Sequence, residues 1–121
     1  MDQSVDLLVS KLKDAILDSP HLAVMILDRK LDIVWHNQRF GQEFRDSMPI
    51  VGRKCFQVTG SDKPHQNCPL RASFDRGKFT QGFFDFGDRN FVFVTIPLGD
   101  GYAAKIHTYL PKDAEGRIEE A

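Results

Sequence analysis

The chain has 121 residues, 41% hydrophobic and 27% charged, and 16 Lys and Arg against 17 Asp and Glu leave a formal net charge of −1. That length suits one domain around one core. The balanced charge, with no basic block, gives no electrostatic footprint for nucleic acid, and no apolar run approaches the roughly 18 residues of a membrane-spanning helix. Ten Phe against two Tyr and one Trp predict an aromatic-lined core or pocket. Two cysteines are too few for a disulfide scaffold, and the acidic, amphipathic start MDQSVDLLVSKLKD is unlike a signal peptide, so a reducing cytoplasm is expected.

Residues 4–18 place Val5, Leu8, Leu12 and Ile16 at intervals of three and four, which predicts an amphipathic helix ended by Ser19-Pro20. Two uses fit this stripe: packing on its own domain, or the seam of a homodimer, since the stripe is narrow. The apolar runs 22–27 and 31–35, split by Asp28-Arg29-Lys30, predict a hairpin. Asn37 then suits the cap of a short helix whose Phe40 and Phe44 share a face. Residues 48–60 lack a clean period and suggest short irregular helices. Pro69 and Gly77 bracket a further helix. From Phe79 onward the chain predicts three strands: FTQGFFDF, then FVFVTIPL with Phe91, Phe93, Thr95 and Pro97 on one side, then 102–110. The polar tail PKDAEGRIEEA frays or begins a linker helix. The organisation expected is a dimerisation helix at 1–19, one domain at 20–111 and a tail or linker at 112–121.

The sharpest chemical grouping is Cys55, His65 and Cys68, the last followed by Pro69. Two thiolates and an imidazole suit zinc, with the two-residue gap between His65 and Cys68 letting both reach one ion. A closed site needs a fourth ligand, which Asp62, His36 or His107 supplies only if the fold brings it close. A redox-active pair and plain burial of Cys55 are the other readings, and Cys68, near a helix start, is the more reactive thiol. His36 raises haem, but it adjoins Asn37 at a strand end, while alternation with Ile106 turns His107 outward. No cofactor is assigned. Without a phosphate loop, a nucleophile elbow or paired carboxylates at a working spacing, no enzymatic activity is expected.

Two strands, a helical crossover and a three-strand meander make an α+β fold, a five-stranded antiparallel sheet with short helices on one face. Asp28 in the hairpin turn, then Ile33, Asn37 and Phe40, followed by Val51-Gly52-Arg53 and Pro97-Leu98-Gly99-Asp100-Gly101, resemble the PAS family over about residues 20–110. Gly52-Arg53-Lys54-Cys55-Phe56 and Pro64 to Pro69 resemble a cysteine-containing subgroup found in bacterial sensor histidine kinases, with His65 in place of a Cys. The chain departs from the family where many members carry Asp-Ile-Thr: the last strand meets Pro111, which interrupts it before Asp113. Nothing matches the cysteine motif of flavin-binding members.

The resemblance implies a sensory or regulatory module of bacterial signal transduction, homodimeric, relaying its signal through flanking helices to an effector or partner such as a histidine kinase. Met25, Trp35, Phe40, Phe44, Phe56, Phe83, Phe91, Phe93 and Ile106 are candidates to line a small-molecule pocket between sheet and helices. The alternatives are that these residues only pack the core of a structural dimerisation module, or that Cys55, His65 and Cys68 sense metal or redox state.

Overall fold

Asp28 builds the first hairpin. Its carboxylate accepts hydrogen bonds from the backbone of Lys30 at 2.9 Å and Asp32 at 3.0 Å, so the chain reverses within a few residues. Leu31 takes a left-handed φ of 69°, uncommon for Leu, and its fully buried side chain holds it there. In a computed structural model describing residues 3–64, 68–112, 116 and 118–120, this hairpin joins β1 (Ala23–Asp28) to β2 (Ile33–His36). Upstream lies α1 (Gln3–Leu17). Downstream come α2 (Gln38–Glu43), a 3-10 turn (Arg45–Ser47), α3 (Cys55–Val58) and α4 (Leu70–Arg76). The strands β3 (Thr80–Asp85), β4 (Arg89–Gly99) and β5 (Tyr102–Pro111) complete the sequence of elements.

The strands form one antiparallel sheet in the order β2-β1-β5-β4-β3. Between β4 and β5, Asp100 and Gly101 both take positive φ, 55° and 84°, as a tight turn matched to strand twist requires. Strand alternation divides the sheet into two faces. Ala23, Met25, Leu27, Ile33 and Ala103 pack with Phe40, Ile50, Cys55, Val58, Leu70 and Phe74, so the core lies between the sheet and the short helices. A chain of hydroxyls ties α4 to this layer: Ser73 Oγ donates to the Lys78 carbonyl at 2.7 Å and lies 2.8 Å from Thr95 Oγ1.

β5 takes in Pro111 as its last residue, opposite Arg89, and ends there. β1 pairs with β5 only as far as His107, so at Pro111 the strand has a neighbour on the β4 side alone, an edge setting where proline is tolerated. One expectation about β5 needs correction: His107 faces inward, because the register sets it with Phe93 and Ala23 while Ile106 pairs with Val24 and Val94 on the other face. α1 forms as expected, but every side chain from 4 to 17 is exposed. Among the described residues no helix is long and apolar enough to cross a membrane.

Candidate ligand site on the helix-facing side of the sheet

Alternation along β5 puts Lys105, His107 and Tyr109 on the helix-facing side, opposite Thr95, Phe93 and Phe91 of β4. Two further Phe come from the β3 side: Phe84, paired with Phe91, and Phe86 just beyond the strand. Phe84 lies 5.7 Å from Phe93 with planes 15° apart, and Phe86 lies 5.5 Å from Phe91 at 21°. The four rings make a shelf. Gly82 makes room for it, since a Cβ there would collide with the Phe93 ring. Phe91 and Phe93 are buried, whereas Phe84 and Phe86 are 52% and 51% exposed, so the shelf opens to solvent along one edge.

The polar groups on this shelf divide into a matched set and an unmatched cation. Glu43, from α2, places both carboxylate oxygens 3.0 Å from His107 Nε2. The His107 ring is enclosed by Phe91 at 5.0 Å, Tyr109 at 5.6 Å and Phe40 at 6.0 Å. Burial pushes the Glu43 carboxyl up, but His107, then Tyr109 and Arg39, more than offset this and hold it below its ordinary value. Burial, and then Glu43, push the Tyr109 hydroxyl up. Lys105 Nζ lies 5.3 Å from the Phe91 centroid and 5.1 Å from that of Phe93. Burial lowers its pKa.

The expected pocket residues divide between the faces. Met25 and Phe40 lie in the core, Phe44 and Phe56 pack against it, and Phe91 and Phe93 form the inner half of the shelf. Trp35, Phe83 and Ile106 do not join them. A register shift between Ile26 and Leu27 turns Ile33 and His36 inward and leaves Trp35 opposite Ile26, 38% exposed. Phe83 alternates with Phe84 and is exposed on the outer face, and Ile106 alternates with Lys105. Glu43, Lys105 and Tyr109 were missed, and His107 was assigned outward. The period of two that Lys105, His107 and Tyr109 share along β5 was the available signal.

Cys55 is buried in the core with Cys68 packed against it, and both are free thiols. Burial, and then Cys68, push the Cys55 thiol up to about 11. His65 lies outside the described residues, and among those described no three His, Cys, Asp or Glu side chains gather to hold a metal ion. His36 Nδ1 donates to the Asn37 carbonyl at 2.9 Å. Two open cavities lie away from the shelf. One of ≈450 Å³ is bordered by Phe79, Thr80 and Ile96, and one of ≈160 Å³ by Asp18, Pro20 and Arg39.

Asn37 links the site to α1. Its Oδ1 accepts from the backbone of Phe40 and of Val24, each at 3.0 Å, and its Nδ2 donates to the Leu17 carbonyl at 2.8 Å and the Leu22 carbonyl at 2.9 Å. One buried side chain thus caps α2, closes the end of α1 and fixes the start of β1.

No family model matches the chain, and no curated protein matches it. Solved structures do share its fold. A domain of HTR-like protein from Haloarcula marismortui ATCC 43049 has a TM-score of 0.62 at 18% identity, over 75% of this chain and 98% of that one. The PAS domain from Bordetella pertussis BvgS has a TM-score of 0.54 at 16% identity, over 89% and 90%. The LOV domain from the Erythrobacter litoralis EL346 blue-light activated histidine kinase has a TM-score of 0.53 at 18% identity, over 75% and 97%. The chain has the fold of a PAS domain.

Proposed function

We propose that this chain is the sensory or regulatory module of a signalling system, acting as a homodimer through α1 and passing a change at the helix-facing site to that helix. The observation that carries this is the four-way bonding of Asn37, which joins the cap of α2 to the last carbonyl of α1. Glu43, at the other end of α2, holds His107 on the shelf. A small molecule that binds one position of α2 better than another shifts the end of α1 by its differential affinity. Residues 1–19 act as the dimerisation helix, 20–111 as the sensor and 112–121 as tail or linker. The partner is an effector domain or protein such as a histidine kinase, the setting is the cytoplasm, and the module itself carries no catalysis.

A second reading, a dimerisation module without ligand, draws support from the side chains that fill the core between sheet and helices, among them Met25, Phe40, Ile50 and Phe74. Native mass spectrometry of protein purified without additions separates the two. The sensory reading expects a dimer with a co-purifying small molecule that leaves on denaturation, and a dimer with none on repeated preparation favours the second. A monomer at every concentration overturns both.

A further inference from the structure

We propose that the Phe shelf is a binding site for a small aromatic carboxylate, with Lys105 holding the carboxylate and Phe84, Phe91 and Phe93 taking the ring. This rests on the sensory reading and names its ligand class. The argument begins with charge. Glu43 has both carboxylate oxygens 3.0 Å from His107 Nε2, so its acceptors are already engaged inside the protein. Lys105 is different. Among the described residues no carboxylate lies within ion-pair distance of its Nζ, and none accepts a hydrogen bond from it. The faces of Phe91 and Phe93 lie against it, with the Cys68 and Cys55 thiols nearby. The Cys55 thiol, pushed up to about 11, carries no negative charge near neutral pH to serve as counter-ion.

An ammonium partly removed from water, with ring faces against it and the Cys68 and Cys55 thiols near it, is costly until an anion joins it. A carboxylate supplies the missing partner through a charge-assisted hydrogen bond. One ammonium matches one negative charge, which favours a monocarboxylate over a phosphate or a dicarboxylate. The same ammonium excludes cations, which the ring faces would otherwise attract. The near-parallel rings of Phe84 and Phe93 and the half-exposed edge at Phe84 and Phe86 leave a face on which a flat aromatic group stacks.

The test is calorimetric titration of the full chain with benzoate, phenylacetate and indole-3-acetate, each beside its neutral amide. At least one carboxylate should bind, its amide at least about tenfold more weakly, a difference of roughly 1.4 kcal/mol. Lys105→Met should weaken that carboxylate about tenfold or more, Lys105→Arg should retain it within a few-fold, and Lys112→Met, on the outer rim with Asp85, should leave it unchanged. Failure of all three acids at millimolar concentration, equal binding of acid and amide, or no effect of Lys105→Met in a folded variant overturns the proposal. The acid–amide comparison uses the unaltered chain and decides the matter even if the variants fail to fold. Binding without any change in α1 or the dimer would sink the sensory reading and keep the ligand class. No binding alongside a different co-purifying molecule would do the reverse.

Discussion

Asn37 joins more of the molecule than any other single polar side chain described above. Its role as helix cap follows from its place before Gln38-Arg39-Phe40, but its bonds to Leu17 and Leu22 span 20 and 15 residues, and no local pattern carries that information. The two roles separate by substitution. Asn37→Ala should cost on the order of 2–3 kcal/mol, about 1 for the lost cap and the rest from buried partners left without bonds. Asn37→Asp keeps the acceptor for Phe40 and Val24 but turns an acceptor toward the Leu17 and Leu22 carbonyls. It should therefore lose about as much stability in urea denaturation as Asn37→Ala. An Asp variant as stable as the native chain would show that the cap alone matters. At Gly82, Ala would push a methyl into the Phe93 ring, with an expected loss of roughly 1–3 kcal/mol by overpacking. An unchanged denaturation midpoint would contradict that contact.

At the scale of elements, α1 and β5 show where sequence and structure part. The stripe of Val5, Leu8, Leu12 and Ile16 predicted a helix, and the helix is there, but spacing alone leaves its partner open. Its exposures of 40%, 62%, 59% and 37% set that apolar side facing away from the core of its own domain, with Val9, also exposed, beside it at helical spacing. A solitary helix of this length is marginal in water, so a second copy is the expected cover. Leu8→Asp with Leu12→Asp should convert a dimer to a monomer in sedimentation and reduce helical circular dichroism, while the urea midpoint of the sheet domain stays near the native value. A native chain that sediments as a monomer, or a double variant that remains a dimer, would refute this. β5 misled for another reason. Ala104, Ile106 and Thr108 form the more apolar-looking set, yet Ala103, Lys105 and His107 face the helices. The hydrophobic pattern points the wrong way where the inward face carries polar side chains, and the candidate site sits there. The hairpin and α2 were legible because Asp28 and Asn37 act locally; the β1–β2 register shift that turns Trp35 outward was not.

Across the whole molecule, the same groups set how stability depends on pH. Glu43 has its pKa lowered by folding, so the unfolded chain binds more protons there. Its contribution is present above its ordinary value of 4.5 and is lost as pH falls through the folded value. Cys55 works at the other end. Raised from 9.0 to about 11, it favours the folded state below pH 9 and loses that contribution as pH climbs to about 11. Tyr109, also raised, acts in the same direction at higher pH. Lys105 opposes both. Its pKa is lowered by burial, so its charged form is penalised in the folded chain and that penalty is relieved as pH rises and it deprotonates. Urea midpoints should therefore hold level around neutral pH and fall in acid. On the alkaline side the decline should be shallow, because Lys105 offsets part of the loss from Cys55. Lys105→Met removes the opposing group and should give a midpoint at pH 7 no lower than native, with a steeper decline between pH 9 and 11. Glu43→Gln should lower the neutral midpoint and flatten the acid limb. A Lys105→Met variant clearly less stable than native at pH 7 would mean that the ammonium already has a partner in the folded chain, and the assignment of Lys105 as the unmatched charge on the shelf would fall with it.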